Sequence, residues 1–352
     1  MSAIQLPQGD PTRDLPCAHG GPVGQGLMRA VPEDFVVEER LGYSASGEGE
    51  HAFLEIRKRN TNTVDLARSI AKLCGIRQVD VGYAGLKDRV AVTTQAFSVH
   101  LPGKPDPDWT ILADEDIEVL SVARHNRKIR RGSLRGNAFR LRLREVLADR
   151  ELLEQRLASI AAQGVPNYFG SQRFGHDGAN LRRVHLLLTG ELRKMKREQK
   201  GILLSAARSQ LFNQVLATRV EAGNWDKVIG GDVLLLEGSG RQFIAETVDD
   251  ELIQRAAEFD IHPSGPLPGR ACRTLVTEGE AAWLETQALR DWADWIDGLA
   301  RLGVDADRRA LRLRVDELAW EWDGDDLLLS FALQSGSYAT VVVRELLQVR
   351  KE

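Results

Sequence analysis

Hydrophobic positions along this chain recur now at every second residue and now at every third or fourth, a mixture that predicts strands and helices in one fold. Residues 27–39 alternate weakly and predict a first strand interrupted at Pro32; residues 54–57 predict a short second one. Asn62-Thr63-Val64-Asp65 opens a helix whose apolar face is Val64, Ala67, Ile70, Ala71 and Cys74, closed by Gly75. Next, Val79, Val81 and Tyr83 alternate with Asp80 and Gly82, and residues 90–99 are rich in β-branched and aromatic side chains. That pair predicts a hairpin with a tight tip centred on Asp88. Residues 117–123 predict a strand, and so do residues 137–146, where Phe139, Leu141 and Leu143 alternate with Arg140, Arg142 and Arg144. A strand with one basic face suits an RNA surface.

An amphipathic helix is expected over 149–163, where the first domain is interrupted. Residues 165–175 mix aromatics, Gly and Arg too irregularly for a plain helix, while 181–188 and 203–221 predict helices. A strand is expected over 231–237, a rigid turn at Gly265-Pro266-Leu267-Pro268-Gly269, and one helix over 278–302 with Trp283, Trp292 and Trp295 as packing residues. Leu311, Leu313 and Val315, then Leu327, Leu329 and Phe331, predict strands before a last helix over 340–347.

The length of 352 residues exceeds a usual single core and predicts two domains, and 43% hydrophobic content supports ordinary globular cores. With 28% charged residues and no apolar run near twenty, no membrane span is expected. Residues 1–25 read as a loose leader, and residues 1–26 hold no continuous apolar segment, so a cytoplasmic protein is expected. Cys17, Cys74 and Cys272 offer neither a disulfide framework nor zinc-site spacing, and read as buried or inert thiols. The seven histidines are scattered without a metal-ligand pattern, and no Walker run or dinucleotide fingerprint occurs; neither a metal nor a cofactor is expected.

The net charge of −4 does not by itself suggest a polyanionic partner. Its distribution does. From Arg124 to Arg140 the chain carries Arg124, Arg127, Lys128, Arg130, Arg131, Arg135 and Arg140, plus His125, and no acid. A local basic stretch on an acidic chain is the asymmetry expected where one face meets phosphates. Arg193-Lys194-Met195-Lys196-Arg197 is a second, weaker cluster. At the hairpin tip, Lys87 and Arg89 flank Asp88, so its ionised form, the one a nucleophile or base needs, should be favoured.

Ala84-Gly85-Leu86-Lys87-Asp88 with Ala91-Val92-Thr93-Thr94-Gln95 resembles the signature of the TruD family of tRNA pseudouridine synthases, whose nucleophile is the aspartate of an A-G-x-K-D segment. Pro32-Glu33-Asp34-Phe35-Val36-Val37-Glu38-Glu39 upstream resembles that family's P-E-D-F-V-V-x-E, and Gly132, Leu134 and Gly136-Asn137-Ala138-Phe139 its G-x-L-x-G-N-x-F. Residues 165–175, 204–214 and 335–346 extend the resemblance in the family's order nearly to the end of the chain.

The resemblance implies an α+β fold: a pseudouridine synthase catalytic domain with a mixed, largely antiparallel sheet, interrupted by an inserted α/β domain. The catalytic parts would be residues 1–162 and 310–352, with the insertion at 163–309. It implies isomerisation of uridine 13 of tRNA on a flipped-out base, by a monomer without a cofactor. Asp88 would be the catalytic carboxylate, attacking sugar or base or removing a sugar proton. Arg29 would be its ion partner, where the family usually places Lys, and Phe139 the stacking ring. Asn137, on the same strand face as Phe139, would hydrogen-bond the base or the loop, with Lys87 in support. Arg124, Arg127, Lys128, Arg130, Arg131 and Arg135 would meet RNA.

Three other readings remain open from the residues: a synthase acting on another RNA, a non-catalytic tRNA-binding protein, and a hydrolase with paired carboxylates. The hydrolase would draw its second acid from Glu33, Asp34, Glu38 or Glu39.

Overall fold

The computed structural model describes residues 6–192 and 194–350, so that Arg193 of the second basic cluster lies outside the described residues. The chain forms two compact units. One comprises Val23–Arg150, Val315–Gly336 and the chain from Leu347 onward. The other comprises the chain up to Pro22, Glu151–Arg314 and Ser337–Leu346.

The first unit is built on a mixed sheet of ten strands. In chain order these begin with β1 (Gly24–Met28), β2 (Phe35–Arg40) and β3 (His51–Arg59), followed after helix α1 (Thr63–Leu73) by β4 (Val81–Gly82), β5 (Val92–His100), β6 (Ile117–His125) and β7 (Gly136–Ala148). The strands Asp316–Asp323, Asp326–Gln334 and Gln348–Arg350 complete it. Across the sheet the order is Asp316–Asp323, Asp326–Gln334, β7, β2, β5, β3, β6. β2 with β5 and β1 with Gln348–Arg350 are parallel; the other pairings are antiparallel.

Register decides which side chains share a face. Phe139 of β7 lies opposite Val37 of β2 and Phe331, and Asn137 lies opposite Glu39 and Leu333. At Gly136, where β7 enters the sheet, an added Cβ would stand 2.4 Å from Leu333 O, so the close approach of the two strands requires glycine. Farther along the sheet, Leu54, Ile56, Phe97 and Val99 bury against Leu66, Ala67 and Ile70 of α1. A fully buried leucine or isoleucine contributes about 1.5–3 kcal/mol, and this cluster anchors α1 on β3 and β5.

The opposite face of β7 is polar but neutralised. Arg140 pairs with Glu38 (2.8 Å), Arg142 with Asp323 (2.5 Å) and Asp326 (2.7 Å), and Arg144 with the buried Asp34 (2.7 Å). The expected basic face is therefore corrected to a row of cross-strand ion pairs. Acids from neighbouring strands, far off in sequence, consume its charge.

The second unit contains the helices Arg150–Gln163, Ala179–Leu188, Arg197–Glu221, Asp250–Ala257, Gly279–Leu289, Ala293–Arg301 and Ala339–Leu346. They accompany an antiparallel sheet ordered Gln242–Ile244, Val233–Leu236, Ile261–Leu267, Asp307–Ala310. A buried ion pair, Arg219 to Asp232 at 2.9 Å, ties the long helix to the turn before Val233.

Several sequence expectations change. The rigid turn at residues 265–269 is in part strand: Ile261–Leu267 contains Pro263 and Pro266, tolerated because each half of the strand pairs on one side only. The single helix over 278–302 is two, broken by a short turn at Arg290–Trp292. Trp292 and Trp295 are buried as expected, whereas Trp283 is 61% exposed. On α1 it is Thr63 and Leu66, not Val64, that bury. The short second strand is the nine-residue β3. Cys272 is exposed rather than buried, and a hydrogen bond with Thr274 lowers its thiol pKa. No helix among the described residues is long and apolar enough to cross a membrane.

Asp34→Ala should destabilise the protein by about 3 kcal/mol in urea unfolding, because it removes the close counterion of Arg144, leaving Asp326 at 3.9 Å, and takes the acceptor from Val31 N–H. Glu38→Gln, which breaks only the exposed pair with Arg140, should change stability by less than about 1 kcal/mol.

Candidate active site

Asp88 sits on the connection between β4 and β5, which is broader than the predicted tight tip. β4 pairs with Ser98 and Val99 at the far end of β5, and Val79 and Asp80, expected as strand, belong to a single tight helical turn, Gln78–Asp80. Residues 83–91 leave the sheet and are pinned from inside it. Gln95 Nε2 donates to Gly85 O (2.7 Å), Thr63 Oγ1 donates to Gln95 Oε1 (3.0 Å), and Lys87 N donates to Thr63 Oγ1 (3.1 Å). Gly132 N donates to Ala84 O at 2.8 Å, tying the base of the loop to the basic segment.

The two charged neighbours in sequence point to different places. Lys87 turns inward, its side chain 6% exposed, with Nζ 3.0 Å from Glu39 Oε1 and donating to Asn137 Oδ1 at 2.7 Å. Glu39, 2% exposed, takes a further bond from Ala96 N. Asp88 points outward with 43% of its side chain exposed, and Arg29 Nη2 donates to its Oδ2 at 2.9 Å. The cation on Asp88 is thus Arg29, fifty-nine residues away, while Lys87, expected beside the carboxylate, neutralises Glu39.

Arg29 adopts φ +66°, a left-handed conformation uncommon outside glycine, as the chain turns from β1 toward Pro32. Its guanidinium carbon lies 3.8 Å over the Phe35 ring, which orients the fork. Phe35 in turn meets Phe139 edge-on (6.1 Å, 71°), and Phe139 stacks on Phe331 (5.4 Å, 28°). Phe139 is 6% exposed, so its ring is a packed member of this trio.

The sequence thus named Asp88, Arg29, Lys87, Asn137 and Phe139, and the fold places all five on one face of one unit. It did not single out Phe35, Phe331 or Lys58. The signal was present in the alternation: Phe35, Val37, Glu39 and Ala52, Leu54, Ile56, Lys58 each run along a buried face. Their convergence needed the strand order. Each of the four acids considered as a partner carboxylate is engaged by a cation: Glu33 by Arg59, Asp34 by Arg144, Glu38 by Arg140 and Glu39 by Lys87.

In the basic segment Arg124 pairs with Asp106 at 3.1 Å, Lys128 donates to Val79 O, and Arg131 donates to Tyr83 Oη (2.5 Å) while lying 3.8 Å over its ring. Arg127, Arg130 and Arg135 are exposed, and among the described residues none has a carboxylate partner.

The fold and this site define an α+β protein that presents an arginine-held carboxylate above an aromatic cluster. The family model of tRNA pseudouridine synthase D (TruD) matches residues 18–193 and 187–346. Proteins named tRNA pseudouridine synthase D are 49% identical in Nitrosococcus oceani and 48% in Methylococcus capsulatus, each match covering 95% of this chain and 94% of the relative. A solved structure described as TruD from Methanosarcina mazei superposes with TM-score 0.71 at 21% identity, covering 95% of this chain and 96% of that one. The chain belongs to the TruD family.

Removing either Glu39 or Lys87 alone should cost about 3–5 kcal/mol, because each leaves the other's charge buried and unpaired. In a double-mutant cycle of Glu39→Gln and Lys87→Met, the double variant should be more stable than the sum of the singles, read by urea unfolding.

Proposed function

We propose that this protein is a tRNA pseudouridine synthase that converts uridine 13 to pseudouridine, with Asp88 as the catalytic carboxylate. The observation that carries the reading is the Arg29–Asp88 pair: an exposed carboxylate oriented by one arginine, on a loop pinned from within the sheet, in a chain of the TruD family. A pure phosphate-binding protein has no use for an exposed acid beside a cationic segment. The names of the relatives supply the tRNA substrate; the position in the tRNA comes from the family resemblance.

The reaction breaks the bond from uracil N1 to the ribose C1′, turns the base, and forms a bond from C5 to C1′. The C5 hydrogen leaves, N1 gains one, and the product has the mass of the substrate. Arg29 engages Oδ2, and among the described residues Oδ1 has no hydrogen-bond partner, so it is available to the sugar or the base. Asn137, fixed by Lys87, sets the polar edge of the site, and Phe139, packed between Phe35 and Phe331, is part of the apolar floor beneath an extruded base. The catalytic domain is the unit containing these residues; the other unit holds the expected insertion, 163–309, together with the chain up to Pro22 and residues 151–162, 310–314 and 337–346, which the family resemblance assigns to the catalytic parts. Arg127, Arg130 and Arg135 are the phosphate contacts, because their charge is not spent on carboxylates within the protein.

Asp88→Asn should abolish pseudouridine formation at position 13, mapped on purified tRNA, while unfolding and tRNA binding stay close to wild type; the amide is nearly isosteric but neither attacks nor accepts a proton as a carboxylate does. Activity near wild type would sink the assignment.

Binding to tRNA should weaken with salt, and Arg127→Ala with Arg130→Ala should flatten the log–log slope by roughly one unit per lost phosphate contact. Arg124→Ala, already neutralised by Asp106, should leave the slope nearly unchanged.

A further inference from the structure

Lys58 is 1% exposed, and fully buried lysines are rare unless paired. It is the last residue of the buried row Ala52, Leu54, Ile56, Lys58 on β3, and stands opposite Thr93 of β5. The hydrogen bond it makes runs from Nζ to Thr61 O at 2.6 Å, at the turn into α1. Two residues on, Thr63 Oγ1 receives Lys87 N, the amide next to Asp88. A short path of chain and hydrogen bonds therefore runs from the Lys58 ammonium to the catalytic loop.

The charged groups acting on Lys58 are few. On the loop they are Asp88, whose charge favours the ammonium, and Lys87, whose charge opposes it. On β2, Glu39 is occupied by Lys87; Arg59, beside Lys58 on β3, is paired with Glu33 and with Asp116, just before β6. The side chains that α1 buries are Thr63, Leu66, Ala67, Ile70 and Ala71, none of them charged.

We propose that Lys58 is a positioning residue for Asp88: its buried ammonium fixes the start of α1, and with it the loop, and supplies a second positive charge to the carboxylate from inside the sheet. This rests on the reading of Asp88 as the catalytic carboxylate. Arg29 engages Asp88 directly, and Lys58 acts from the buried row of β3. A surface lysine would be screened by water, whereas charge in a buried setting acts over a longer reach. A purely structural lysine would hold Thr61 O and have no electrostatic dialogue with Asp88.

Burial pulls the Lys58 amine down to about 8, against the opposing pull of Asp88. The sign follows: the charge is present below that pH and is lost as pH rises through it. Single-turnover rates on tRNA should therefore fall on an alkaline limb near pH 8 in the wild type. Lys58→Gln, which keeps a donor but not the charge, should lower the rate near neutrality by on the order of tenfold and remove the limb, with tRNA affinity unchanged. Lys58→Arg should restore much of the rate and carry it past the limb.

A second measurement holds even if these variants fold poorly. In a nitrogen-15 NMR titration of lysine side chains, Asp88→Asn should move the Lys58 midpoint downward, since it removes the charge that favours the ammonium. A limb that persists in folded Lys58→Gln, or a Lys58 midpoint unmoved by Asp88→Asn, overturns the proposal. An active Asp88→Asn would instead overturn the role of Asp88; an inactive one with an unmoved Lys58 removes Lys58 alone.

Discussion

The buried pair of Lys87 and Glu39 is the interaction on which the site depends. Lys87 is drawn into the sheet while its neighbour Asp88 faces out of it. Burying two charges is expensive, and a pair of this kind rarely adds much net stability over an apolar substitute. What it provides is a unique loop setting. Lys87 has one place to discharge its cost, between Glu39 and Asn137, and that place fixes where Asp88 stands.

The rest of the sheet is arranged around the same constraint. Phe35, Phe139 and Phe331 form a packed aromatic floor on the face that carries Glu39 and Asn137, and Arg29 crosses above Phe35 to reach Asp88. On the reverse face Arg140, Arg142 and Arg144 are each met by an acid from a neighbouring strand or turn. One face has ion pairs that spend charge on the fold, and the other leaves a carboxylate exposed. Arg127, Arg130 and Arg135, outside the strands, keep positive charge toward solvent.

Much of this was legible in the sequence because it rests on local pattern. Alternation placed Phe139, Leu141 and Leu143 on one side of β7 and the arginines on the other, and the helical period with Gly75 at its end located α1. The motif segments identified Asp88, Arg29, Asn137 and Phe139 as candidates together. Where local pattern misled, a distant partner had intervened. The tight hairpin became a broad loop because Gln95, Thr63 and Gly132 hold the loop off the sheet. The proline-rich turn at residues 265–269 is partly strand because its prolines fall where only one side of the ladder is needed.

The sequence by itself determined the kinds of element, the residues with reactive chemistry and the family, since these depend on residue type, spacing and near neighbours. Only the tertiary structure decided which charges cancel. Coulombic attraction acts through space, and the partners that matter here are separated by dozens to hundreds of residues: Arg29 with Asp88, Lys87 with Glu39, Arg142 with Asp323. The burial of Lys58 has the same origin. Alternation along β3 pointed its side chain inward, but only the packing of β5 and α1 set that inward position against Thr61, two residues before the Thr63 that holds Lys87 N.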